Sequence, residues 1–442
     1  MQRLIKKISH LKSDAYIRNS ATNFTGSLLV NILSYIFNII IGRALGPAQY
    51  SEYLSLITLW YVATIPSGVL QTVVIRNIAH FHNKGDVDGV YNLLHIFSRY
   101  GLIWGVIVGA ALLLLSTFLS SVLNIDSLVN FLIIIALISV SYLSSVWLAY
   151  FIGMERYVVF SLLSGSGILL RIVLVIGILL VDKSVTTVLL AMLSGIGVQI
   201  FLTLAAIYRD KHRVFKIPLS KIFAKFLRIA RRISVEKTIK KEITTTLKTS
   251  LVSVLGLALL TQSDIILARI RLSAQDAGLY ASLAVTGKII PFFTLPLVGV
   301  LLPHITGNIA KNQPCKNTLL LASCLVGLGS GSVAIFYALF PEFVIKSFLG
   351  NDYIKSAPYL GAFALFQTLY SLTSVGVYAS IAMNKVAQAS AVMFVALIQV
   401  ALILLMQPTI ENIIWANLIS LSIALLYYAY TLFIMINQKA HG

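Results

Sequence analysis

Three charged side chains stand where the sequence is otherwise apolar, and their chemistry sets the first question. Arg171 lies inside GILLRIVLVIG with no acid nearby, Lys288 inside AVTGKIIPFF, and Asp264 inside LTQSDIILAR. A charge at mid-helix in a bilayer costs about 2.5–3.5 kcal/mol on insertion scales, so such a group faces a wet cavity or a partner. Two deep cations against one deep anion leave positive charge over, which suits an anionic ligand. Arginine grips a compact anion such as a diphosphate through its planar fork, and lysine binds it as a point charge. A second reading stays open for Asp264: a structural ion pair with Lys288 or Arg171, or coupling to H⁺ or Na⁺.

Around these charges the sequence supplies neutral polar groups. Asn23, Ser27, Asn31, Ser34 and Asn38 recur every three or four residues and fall on one helical face. In lipid that face meets another helix or water. Amides both donate to and accept from hydroxyls, so the stripe fits a sugar-compatible wall as well as helix–helix bonding. Gln199, Gln262, Gln367, Tyr370 and Tyr378 are further candidates. Arg43 and Arg269, with Arg271, sit at span ends, where they either snorkel to the interface or contact a charged ligand. His80, His82 and His95 share one polar loop without the carboxylates or cysteines of a metal site. The two cysteines, Cys315 and Cys324, imply no disulfide framework, and neither a metal nor a cofactor is expected.

The elements that must position these groups are membrane helices. Of the 442 residues, 58% are hydrophobic and only 11% charged, whereas a soluble domain carries roughly 25% charged residues. Apolar runs of membrane-spanning length give twelve candidate spans, near 22–42, 53–75, 100–123, 129–151, 157–181, 186–208, 249–268, 277–303, 318–341, 358–382, 387–407 and 413–435. The first span has no short apolar core with a small-residue cleavage site, so it is expected to be retained. With both termini cytoplasmic, 26 of the 34 basic residues fall on the inner side and six in the outer loops. That is the positive-inside pattern. It accounts for most of the +19 net charge without nucleic acid.

Residues 209–248 carry thirteen basic and three acidic residues and separate six spans (1–208) from six (249–442). Within this linker Lys221, Lys225, Arg228 and Arg232 oppose Ile222, Phe223, Phe226, Ile229 and Ile233, the pattern of a helix lying against anionic lipids. The halves echo each other. Gly68-Val69-Leu70…Asn77-Ile78-Ala79 recurs as Gly299-Val300-Leu301…Asn308-Ile309-Ala310, 231 residues on. Leu45, Tyr53, Ser55 and Leu56 recur as Leu272, Tyr280, Ser282 and Leu283. An even number of spans separates the copies, so the expected architecture is all-α: two parallel six-helix lobes around a central cavity. Pro66, Gly287, Pro291 and Pro296 are the hinge candidates.

The turn GRALGPAQYSEY (42–53), the segments QSDIILAR (262–269) and AGLYASLAVTGKI (277–289), and the twelve-span plan resemble bacterial polysaccharide exporters. More narrowly, the chain is similar to the Wzx-type O-antigen flippases of the multidrug/oligosaccharidyl-lipid/polysaccharide exporter superfamily. The resemblance implies a V-shaped, two-lobed transporter of the bacterial inner membrane. Its implied cargo is an undecaprenyl-diphosphate-linked oligosaccharide moved from the cytoplasmic to the periplasmic leaflet, and a glycan polymerase or other export-machinery proteins are implied partners. A cation-coupled drug or small-molecule antiporter remains the alternative, although the first half has no deep carboxylate. A polytopic glycan polymerase or ligase would need acids, bases or metal ligands gathered at one site, and none is evident.

Overall fold

The structure, a computed structural model, describes residues 2–125, 127–179, 182–214, 237–294, 305, 315–383 and 385–438. Every regular element among them is helical. The first half comprises α1 (Gln2–Asn83), α2 (Val87–Leu114), α3 (Ser116–Val122), α4 (Leu128–Gly153), α5 (Tyr157–Ile178) and α6 (Val185–Val214). The second comprises α7 (Lys237–Arg271), α8 (Ala274–Gly287), α9 (Lys316–Leu339), α10 (Pro341–Phe348), a 3-10 segment (Asn351–Tyr359), α11 (Leu360–Ala382), α12 (Val386–Leu405) and α13 (Ile410–Gln438). The linker residues 215–236, Pro296, and all of the second GVL-x6-NIA copy except Ile305 lie outside the described residues, as does the Asn23 side chain.

Among the described residues, eleven helices are long and apolar enough to cross a membrane. The first, Leu28–Asn83, is 56 residues long, over twice the roughly 20 that one crossing needs. The chain breaks it at Gly46, whose φ of 69° and ψ of 171° suit glycine alone. Pro47 follows, where its fixed φ and missing N–H fit the first turn of the next leg. Residues of both legs, Asn38 before the break and Trp60 after it, line one cavity, so the chain folds back. Counted as two legs, α1 restores the twelve expected spans.

Small residues set the tightest packing. Gly101, Gly105 and Gly109 recur every four residues on α2 and face α4; a Cβ on Gly105 would lie 2.4 Å from the Ser139 carbonyl oxygen. Without a hydrophobic force between helices in lipid, such small stripes let backbones approach. Large side chains point outward instead, as at Leu114 (84% exposed) and Leu405 (83% exposed). Helices pack mainly within their own half: α1 against α4 and α5, α5 against α6, α7 against α12, and α11 against α9 and α13. The halves meet chiefly through α1 against α7 and α8.

Pro66 sits in continuous helix in the second leg of α1. Pro291 has a larger local effect. It cannot donate to the carbonyl of Gly287, four residues earlier, and α8 ends at Gly287, with Lys288 as the turn before helix resumes over 289–294. Gly287 is packed tightly at that turn, where a Cβ would meet the Phe363 ring at 2.5 Å.

Candidate functional site

In the first half, Arg171 lies in a cavity of about 210 Å³ walled by both legs of α1, by α5 and by α6. The first leg contributes Ser34 and Asn38 from the polar stripe; the second contributes Tyr53, Ile57, Trp60 and Tyr61. Positions 53, 57, 60 and 61 share one face of a 3.6-residue helix, which is why they arrive together. The Asn38 amide donates to the Ser34 carbonyl at 2.8 Å, one turn back. Gln199 of α6 completes the polar lining.

The Arg171 side chain crosses α6 at Gly195, where a Cβ would lie 2.3 Å from its Cγ. A glycine there makes room for the stem. The Arg171 Nε is buried without a hydrogen-bond acceptor. Tyr53 and Tyr61 line the cavity beside it, and among the described residues no carboxylate pairs with it. No acidic residue lines the cavity. The arrangement sets a half-buried arginine, with its Nε unpartnered, among hydroxyls, amides and aromatic rings, which can bind an anion and its polar substituents.

Lys288 and Asp264 are elsewhere, inside the second half. Lys288 Nζ donates to Gln262 Oε1 at 3.0 Å. Tyr280 Oη donates to Asp264 Oδ2 at 2.6 Å, Asn417 Nδ2 donates to Tyr280 Oη at 2.9 Å, and Gln399 Nε2 donates to Asn417 Oδ1 at 2.7 Å. Lys288 is an electrostatic neighbour of Asp264 without direct contact. The structure therefore separates the two deep cations, one to each half, and places Asp264 with Lys288 rather than with Arg171.

Arg43 and Arg269 join the halves at the Gly46 end of the bundle. Arg269 is buried; it donates from Nε to the Leu123 carbonyl at 3.0 Å, from Nη1 to Ser51 Oγ at 2.7 Å and from Nη2 to the Asn124 carbonyl at 2.8 Å. Asn124 adopts a left-handed φ of 50° in this turn, a conformation that asparagine tolerates. Arg43 donates from Nε to the Phe348 carbonyl at 2.8 Å and from Nη2 to the Ser347 carbonyl. Tyr353 Oη donates to the Gly42 carbonyl at 2.7 Å. A Cβ on Gly278 would lie 2.1 Å from the Pro47 carbonyl oxygen, so the backbones also touch there. Asn31 is half-buried on the first leg and is not part of the cavity lining.

Sequence reasoning did not single out Tyr53, Trp60 and Tyr61 as cavity residues, nor Tyr280, Gln399 and Asn417 as the second-half network. For Tyr53 and Tyr280 a signal existed, since they occupy equivalent positions in the repeat, and both are fully buried beside their half's charge.

The helical order, the doubled α1 and the two sets of helices make an all-helical fold whose described residues include eleven helices long and apolar enough to cross a membrane. It superposes on the inward-facing conformation of a multidrug resistance MATE family transporter of the MOP superfamily with a TM-score of 0.75 at 14% identity, covering 96% of this chain and 99% of that one. The outward-facing conformation of a multidrug resistance MATE family transporter gives 0.64 at 15% identity, with 95% and 96% covered. A MOP superfamily transporter from Pyrococcus furiosus, described by the reverse polarity of its binding pocket, gives 0.67 at 14% identity, with 96% of each chain covered. No curated protein matches the sequence. Residues 16–308 match the family of polysaccharide biosynthesis proteins, and the chain belongs to that family.

Proposed function

We propose that this protein is a flippase that moves a polyprenyl-diphosphate-linked oligosaccharide, an O-antigen or similar repeat unit, from the cytoplasmic to the periplasmic leaflet of the bacterial inner membrane. The observation that carries the reading is Arg171: a half-buried arginine whose Nε is buried without a hydrogen-bond partner and which has no carboxylate partner among the described residues, in a cavity lined by no acid. Burying part of a cation without an opposite charge is costly, and an anionic cargo group offsets that cost when bound. Asn38, Ser34, Gln199 and the Tyr53 and Tyr61 hydroxyls supply donors and acceptors for sugar hydroxyls. Membership of a polysaccharide biosynthesis family supports a glycan cargo.

Residues 1–208 and 249–442 act as the two lobes, joined by 209–248, and alternate by rocking. Arg43, Arg269 and Tyr353 hold the Gly46 end shut, which we take as the periplasmic end, with both termini cytoplasmic. The higher TM-score against an inward-facing relative supports that assignment. Lys288 and Asp264 balance each other's charge within the second lobe, and Pro291, Gly287 and Pro66 are the bending points. A cation among neutral polar groups supports carrying a charged glycan. A cationic drug is a poor cargo for the same site, because Arg171 repels it.

The test is glycan export in cells that depend on this protein, at matched membrane levels of each variant. Arg171→Ala abolishes export, and Arg171→Lys retains part of it because the charge persists without the fork. Export by Arg171→Ala equal to that of the parent would sink the proposal. Cation-driven efflux of an organic cation from proteoliposomes would replace it with an antiporter.

A further inference from the structure

A second cavity, of about 420 Å³, lies at the end of the bundle opposite Gly46 and takes no part in the reading above. It forms where the turn between α1 and α2 meets the last turns of α4 and α6. Its volume falls in the range of small-ligand sites, roughly 300–1,000 Å³. Val87, Val90, Met154 and the Tyr91 and Tyr150 rings make its walls apolar. Two charged residues, Arg156 and Asp210, stand in it as an ion pair. Glu155, immediately before Arg156, takes a left-handed φ of 57°, a conformation costly for a non-glycine residue. Arg156, the next residue, lines the cavity.

The pair is incompletely used. The side chains of Arg156 and Asp210 are 39% and 14% exposed. Their contact engages one guanidinium nitrogen, Nη1, and one carboxylate oxygen, Oδ2. Guanidinium has five N–H donors and a carboxylate about four acceptor sites, so each partner retains capacity for a ligand. An occupant must combine an apolar body with a head carrying both signs of charge. The position supplies such molecules: Asp86 caps α2 through the Gly89 N–H at 2.8 Å, and polar turns of this kind sit at the level of lipid head groups. A purely anionic head meets repulsion from Asp210. A quaternary amine has no N–H to donate.

We infer that this cavity binds a zwitterionic phospholipid with a primary-amine head. Its phosphate lies on the open edge of Arg156, its ammonium donates to Asp210, and the start of an acyl chain runs along Val87, Val90 and Met154. Bound there, the lipid ties the ends of α1, α2, α4 and α6 together within one leaflet. This inference stands whatever cargo the Arg171 cavity takes.

Native mass spectrometry of the full chain, released from nanodiscs holding phosphatidylethanolamine, phosphatidylcholine and phosphatidylglycerol in equal parts, reads the preference directly. The expected result is phosphatidylethanolamine retained about tenfold over phosphatidylcholine, with Arg156→Gln and Asp210→Asn each removing the preference. Because those variants also break the ion pair, Met154→Trp serves as the second arm. It fills the cavity, leaves the pair in place, and is expected to lose the lipid while melting in detergent like the parent. Equal retention of the three lipids, preference for phosphatidylglycerol, or undiminished retention by Met154→Trp would each overturn the inference.

Discussion

Arg43, in the first half, donates to the carbonyls of Ser347 and Phe348 in the second, while Arg269, in the second half, donates to those of Leu123 and Asn124 in the first. The register that pairs Tyr53 with Tyr280 pairs Gly42 with Arg269, so the two arginines stand one residue apart in the repeat. Each closes the other half's loop. Hydrogen bonds from a charged donor contribute about 1.5–3 kcal/mol apiece, and the buried Arg269 contributes more than the exposed Arg43.

Releasing this double contact is expected to open the Gly46 end. Spin labels on Gln49→Cys and Gln275→Cys, both exposed at that end and one in each half, report its width once Cys315 and Cys324 are replaced by serine. In Arg43→Gln/Arg269→Gln the distance distribution moves to longer values, and Arg269→Gln alone moves it further than Arg43→Gln alone. Distributions that superpose on the parent's would show that the arginines do not hold the halves together.

In the second half, Tyr280 stands between Asp264 and Asn417. Tyr280→Phe removes the donor to Asp264 Oδ2 and the acceptor for Asn417 Nδ2, while Asp264 Oδ1 already has no partner. Leaving such buried groups unsatisfied costs on the order of 1–3 kcal/mol each. Tyr280→Phe is expected to lower the melting temperature in detergent clearly. Tyr280→Phe/Asp264→Leu should lose less than the sum of the two single changes, since the residues share one network. Strict additivity would remove Tyr280 from that role.

Gly46→Ala tests the turn that makes two spans of α1. With φ 69° and ψ 171°, alanine incurs roughly 1–3 kcal/mol of backbone strain. Nothing lies within 4 Å of the added Cβ, so the cost is conformational rather than steric. Thermal unfolding should show the loss, whereas Gly68→Ala, also in open space but in regular helix, should show none. Equal stability of the two variants would contradict the strained turn.

Much of this architecture was legible in the sequence because lipid imposes simple rules. Span length and the paired echoes around Tyr53 and Tyr280 each reflect a one-dimensional constraint. Arg171 and the polar face of Ser34 and Asn38 each stood out by the cost of charge and amide in hydrocarbon, but that they share one cavity was not legible. Partner choice was not legible. Whether Asp264 meets Lys288 or Arg171 depends on which helices adjoin, and both lie far from it in sequence or on another element. Nor does composition tell an arginine that snorkels from one that clamps a facing loop. The carbonyls of Leu123, Asn124, Ser347 and Phe348 that receive Arg269 and Arg43 are backbone groups, which leave no trace in residue type.

The loop before α6 carries a pH dependence that follows from its hydrogen bonds. Ser184 Oγ donates to Asp182 Oδ2 at 2.7 Å and Thr187 Oγ1 donates to the same oxygen at 2.5 Å. Both bonds favour the ionised carboxylate, led by that from Thr187, and hold its pKa below the usual carboxylate range. A group whose pKa is depressed on folding contributes stability that is present above its unfolded value, about 3.9, and is lost as pH falls through the folded value. The difference in melting temperature between the parent and Asp182→Asn should therefore be constant from about pH 5 to pH 8 and shrink below about pH 4. Because Asp182 is fully exposed, added salt should also reduce the difference. A gap between the two proteins that stays constant down to about pH 3 would mean that the two hydroxyls do not single out the ionised form.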